Sequence, residues 1–140
     1  MACRYALLLA LVLTGCAGSR MRPPECAYSA PGRGTFELAR VGSQSDTAAT
    51  VRGFLTDIDS GAPIGPLSQV SASQAAAVVS GARADASGLL SFEVPPGTTR
   101  FEASAMGYVQ VKTDSVTLPP GSIWEVQFRL HQSCPIVEDV

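Results

Sequence analysis

At 140 residues, with ten Lys plus Arg against twelve Asp plus Glu and a formal net charge of −2, the chain has room for one domain and no second core. The cations are scattered, and Lys112 is the only lysine among them. No run of them makes a stripe able to track phosphates, which excludes nucleic acid as a partner.

The chain opens on a leader, residues 1–15, with a polar start carrying Arg4 and then an apolar run from Tyr5 to Val12. That run is too short to cross a bilayer as a helix and reads as a signal peptide. The closing Leu13-Thr14-Gly15-Cys16 resembles the lipobox of bacterial lipoproteins, in which the cysteine takes a diacylglyceryl group on its sulfur and becomes the new N-terminus. The resemblance implies lipidation of Cys16, a membrane held through the N-terminal lipid, and a place in the bacterial cell envelope. Ala17 follows where inner-membrane lipoproteins of enterobacteria carry Asp, so the implied address is the outer membrane. The competing reading is an ordinary secretory signal cleaved after Ala17 or Gly18.

Residues 16–34 are rich in Pro, Gly and polar residues without apolar period and read as a flexible tether, stiffened at Pro23-Pro24. In residues 35–49, Thr35 to Val41 has Phe36 and Leu38 in alternation and suggests an added edge strand; Gly42 to Ala49 suggests a loop.

From Thr50 short runs with period two recur between turn residues at spacings of about ten, the pattern of an all-β sandwich. Val51 to Asp57 is the first strand, ended by the turn Asp57-Ile58-Asp59-Ser60-Gly61. Gln69 to Ala72 is the second and Ala77 to Ala84 the third, although Gln74 to Val79, with three consecutive alanines, admits one helical turn instead. Asp85-Ala86-Ser87-Gly88 reads as a hairpin turn into Leu89 to Val94, where Leu90, Phe92 and Val94 share a face. Pro95-Pro96-Gly97 leads to Thr99 to Ala105, with Phe101, Ala103 and Ala105 in phase; Gly107-Tyr108 opens Val109 to Val116. The last strand, Ile123 to Leu130, puts Trp124, Val126, Phe128 and Leu130 on one side, which assigns Trp124 to the core in preference to a sugar-stacking platform. The domain so read spans residues 50–134, followed by a tail, residues 135–140.

Of the four cysteines, Cys3 leaves with the leader and Cys16 takes the lipid; Cys26 and Cys134 remain. Outside the cytoplasm such a pair favours a disulfide, which would contribute about 4–5 kcal/mol in the chain-entropy account. The rival grouping of Cys26, His131 and Cys134 lacks the fourth ligand of a closed zinc site.

The order Val51-x-Gly53, Asp57-x-x-Ser60-Gly61-x-Pro63-Ile64, Asp85-x-x-Gly88-x-x-x-Phe92-x-Val94-Pro95-Pro96-Gly97 and Ala105-Met106-Gly107-Tyr108 resembles the carboxypeptidase regulatory-like domain. The resemblance implies a seven-stranded prealbumin (transthyretin)-like β-sandwich and a non-catalytic accessory module without cofactor. Two departures are a longer segment between Val70 and Asp85, and Ala84 where the family often has Thr.

No nucleophile with its base, paired carboxylates or phosphate loop stands out, so no catalytic or metal residues are assigned. His131 reads as a surface residue. Asp57 and Asp59 have a calcium-like spacing but fewer acidic neighbours than such a site needs, and read as a turn. The functional expectation is a lipid-anchored envelope protein whose sandwich mediates protein interaction or structural support. Its exposed loops would be Asp57 to Pro66, Asp85 to Gly88, Pro95 to Thr98 and Pro119 to Ser122. The alternative is a glycan-binding module, for which Tyr28, Phe36 and Tyr108 are the aromatics outside the core phases.

Overall fold

The computed structural model describes residues 33–133. Nine strands fall into two facing sheets: β1 (Thr35–Ser43), β2 (Ala49–Asp57), β3 (Ser68–Gln74), β4 (Ala77–Arg83), β5 (Leu89–Val94), β6 (Gly97–Ala105), β7 (Val111–Lys112), β8 (Val116–Leu118) and β9 (Ser122–Leu130). The first sheet has the order β1-β9-β2-β5, and the second has the order β4-β3-β6-β7 with β8 also on β6. Alternation drives the assembly, because each strand must bury one face and leave the other wet. Val51 and Leu55, Phe92 and Val94, and Val126, Phe128 and Leu130 project from the first sheet onto Val70, Ala72, Phe101 and Ala103 of the second. The Phe92 and Phe101 rings meet edge-on across the interior at 6.4 Å. Full burial of each such large side chain contributes about 1.5–3 kcal/mol.

The all-β sandwich matches the sequence reading, including the edge strand ahead of Thr50. β1 pairs with β9 from Thr35↔Arg129 to Ser43↔Ser122, longer than Val41 and interrupted by a bulge at Arg40/Gly42. β9 also runs parallel to β2, from Thr50↔Ile123 to Asp57↔Leu130, so it is paired on both sides. Trp124 packs half-buried against the core as its phase required, with its indole N–H donating to Ser122 Oγ at 2.7 Å.

Three local readings are corrected. Gln74 to Val79 holds no helical turn: it is a β3–β4 hairpin closed by Ala75 and Ala76, both at positive φ, +49° and +62°. Asp85 to Gly88 is no hairpin either, since it carries the chain from β4 in one sheet to β5 in the other. There Asp85 Oδ1 accepts N–H bonds from Ser87 and Leu89, and Gly88 sits at φ +76° where a Cβ would lie 2.6 Å from the Leu55 carbonyl oxygen. Finally, Val109 to Val116 is two short strands. β7 and β8 pair with opposite halves of β6, and the register slips by one residue between them. Thr113 bridges the slip: its hydroxyl accepts the Phe101 N–H at 3.0 Å, and its own N–H donates to the Phe101 carbonyl at 2.9 Å. With β7 and β8 counted as one interrupted strand, β2 to β9 make the seven strands of the resemblance.

Candidate interaction site

β2 ends at the end of the sandwich where the chain also enters, since Thr35 and Thr56 both lie opposite Arg129. At that end the buried Asp57 makes a four-donor knot. Its Oδ1 accepts the N–H groups of Asp59 and Ser60 at 2.9 and 3.0 Å. Its Oδ2 accepts the Tyr108 hydroxyl at 2.8 Å and the Gln132 amide at 3.1 Å. Four donors match the lone-pair capacity of a carboxylate, so Asp57 has nothing left to offer a cation and the turn reading holds. Burial works against its charge, but the bonds from Ser60, Tyr108, Asp59 and Gln132 outweigh it and hold the carboxyl below its ordinary range. Burial and then the neighbouring Asp57 push the Tyr108 phenol up. His131 sits at the rim, its Nδ1 4.0 Å from an oxygen of the exposed Asp59.

The knot ties three separate stretches: the end of β2, the Gly107-Tyr108 turn, and the segment after β9. Around it Val109 N–H donates to the His131 carbonyl and Ser133 N–H to the Gly107 carbonyl, each at 2.8 Å. Two of the pieces of sequence that carried the family resemblance, Asp57 to Gly61 and Gly107-Tyr108, are gathered here, and the carboxypeptidase regulatory-like domain family matches residues 50–131. The chain belongs to that family. No curated protein matches it.

The opposite end of this regulatory-like domain is different in character. There Gln74 Nε2 donates to the Pro95 carbonyl at 2.7 Å and to Thr99 Oγ1 at 3.0 Å, pinning the base of the β3–β4 hairpin beside the Pro95-Pro96 crossing. Beyond that anchor the tip, Ala75 to Val79, is a run of consecutive exposed apolar residues, with Val78 70% and Val79 39% exposed. A bulge leaves Val79 without a partner between the Ala72↔Ser80 and Ser73↔Val78 pairs. An unbroken exposed apolar run on a hairpin whose turn is itself strained is costly for a free surface and is the usual mark of a contact site.

Among the loops named from sequence, Asp57 to Pro66 and Asp85 to Gly88 lie at the entry end, and Pro95 to Thr98 and Pro119 to Ser122 flank the tip at the far end. The hairpin tip itself was missed because Gln-Ala-Ala-Ala carries none of the Gly, Asn or Asp that announce a two-residue turn. Its one legible signal is the run Ala75-Ala76-Ala77-Val78-Val79, apolar with no polar alternation. Phe36 and Tyr108, whose sequence phase lies outside the core, both pack against it, and Phe36 meets Phe128 at 6.5 Å. Cys16, Cys26, Cys134 and Tyr28 lie outside the described residues.

Proposed function

We propose that this chain is a lipid-anchored lipoprotein of the bacterial envelope, acylated at Cys16 and located at the outer membrane, whose sandwich is a non-catalytic module that contacts another envelope protein. The observation that carries this reading is the disposition of the two ends. The described chain begins at the Asp57 end, next to Arg129, and the exposed apolar hairpin tip stands at the other. A tether attached at the first end turns the second away from the lipid. The family supports the reading as well, because these domains serve as accessory modules.

A Cys26–Cys134 disulfide belongs to the same proposal. Residue 133 is held against Gly107, and β1 starts opposite Arg129, so the described residues begin and end at the same end of the sandwich. The eight residues between Cys26 and Thr35 can span roughly 26 Å at about 3.3 Å each. The bridge would fasten the tether to the knot end.

The test is a photoreactive side chain introduced at Val78 or, as control, at Ser91 on an outer sheet face. Discrete protein adducts from Val78 alone, lost on Val79→Asp without a drop in thermal midpoint, support the tip as the contact. Equal adducts from both positions, or none from Val78, refute it. A second reading, glycan binding, is favoured by one observation: the half-buried Phe54 lies in the outward phase of β2 and lines a depression on the sheet face.

A further inference from the structure

Val51, Gly53 and Leu55 of β2 are buried, so alternation puts Arg52 and Phe54 on the outer face of the first sheet. Register then fixes their neighbours. Phe54 lies opposite Leu89 on one side and Gln127 on the other, and Gln127 lies opposite Glu37. In the adjoining row Arg52 lies opposite Glu125. These residues line an open depression of about 480 Å³ on the sheet face. Four strands at about 4.8 Å spacing make it roughly 14 Å wide. Gly53 lends only its backbone to the floor, since its phase points inward, where a Cβ would lie 2.6 Å from the core residue Leu90. Leu89 is 52% exposed at the edge of the depression.

We infer that this Phe54-centred face is a binding site for a neutral hexopyranose chain. The inference rests on the glycan-binding reading; the tether and the hairpin tip are tested separately, and a failure here leaves them untouched. The donor set of the face points to this ligand. A pyranose presents an apolar C–H face that an aromatic ring and an aliphatic neighbour can cover, and a rim of hydroxyls that need planar donors and acceptors in one plane. Phe54 and Leu89 supply the first; Arg52, Gln127, Glu125 and Glu37 supply the second. Arg129 donates to Glu37 Oε1 at 3.3 Å and to Gln127 Oε1 at 3.4 Å. That holds both side chains in place and leaves the Gln127 amide donors without a partner among the described residues. The two arginines balance the two glutamates, so the face offers no net charge to a phosphate, an acidic polymer or a basic peptide, and a polyhydroxylated neutral ligand suits it best.

The experiment is co-sedimentation of the full lipidated chain, in zwitterionic detergent, with insoluble cellulose, chitin and starch. We expect retention on at least one, competed by the soluble oligosaccharide of the same sugar. Phe54→Ala should weaken it about tenfold or more at an unchanged thermal midpoint, and Phe54→Trp should keep it. If Phe54→Ala lowers the midpoint, Gln127→Ala replaces it and should still weaken retention. Absence of retention on all three polymers, retention insensitive to Phe54→Ala and Gln127→Ala, or capture of protein by a photoreactive group at Leu89 in place of sugar would overturn the inference.

Discussion

Asp57 closes β2 with a carboxylate that four donors share, two from its own turn and two from distant residues, Tyr108 and Gln132. Tyr108→Phe removes a charge-assisted bond inside a buried knot, and a loss of about 1.5–3 kcal/mol is expected in urea unfolding. Because the folded carboxyl sits below its ordinary value, Asp57 contributes stability at pH above its unfolded value of about 3.9. That contribution disappears as pH falls through the lowered folded value. A pH series of thermal midpoints should therefore show an acid-side decline that Asp57→Asn flattens. A decline of equal steepness in the variant would place the acid sensitivity elsewhere. The turn at Asp57 was legible in sequence from its Asp, Ser and Gly. Its partners were not, since nothing in the spacing of Asp57, Tyr108 and Gln132 says that topology brings them to one point.

Among the elements, the β3–β4 hairpin holds two alanines in a left-handed conformation, at roughly 1–2 kcal/mol each. Replacement of Ala75-Ala76 by Asn-Gly should raise stability by about 1–2 kcal/mol, read as a higher urea midpoint with unchanged m. A lower midpoint would mean that the turn is not of this type. The same substitution leaves Val78 and Val79 in place, so it separates the strain of the tip from its contact surface. Strands with clear alternation, β2, β5, β6 and β9, were readable because the buried face selects every second residue. The Leu90-Phe92-Val94 and Val126-Phe128-Leu130 sets are all in the core. The turn between β3 and β4 and the β7–β8 break escaped for opposite reasons. Alanine is compatible with helix, strand and turn alike, and Val109 to Val116 alternates well enough to hide a slip that only the hydroxyl of Thr113 makes tolerable. Phe54 was legible and overlooked: it alternates with Gly53 and Leu55, and its phase is that of Arg52, the wet one. Thr113→Val should lower stability by about 1–3 kcal/mol, because it strands the Phe101 N–H in the interior.

For the whole molecule, the arrangement has a direction. The described residues begin and end at the Asp57 end, the apolar tip stands at the other, and the Phe54 face runs along one side. The proposed lipid on Cys16 would give that direction a meaning, by setting the Asp57 end nearer the membrane. Cys16→Ser is expected to leave the protein in the aqueous phase of a detergent partition, and the native protein to enter the detergent phase. The central claim is a sandwich tethered by lipid at its knot end and closed there by a disulfide. Intact mass spectrometry of the membrane-extracted protein, before and after reduction and alkylation, tests it most directly. The account predicts an N-terminus at Cys16 with added acyl mass, and two thiols that react only after reduction; an unacylated chain beginning elsewhere, or two thiols free from the start, would contradict it.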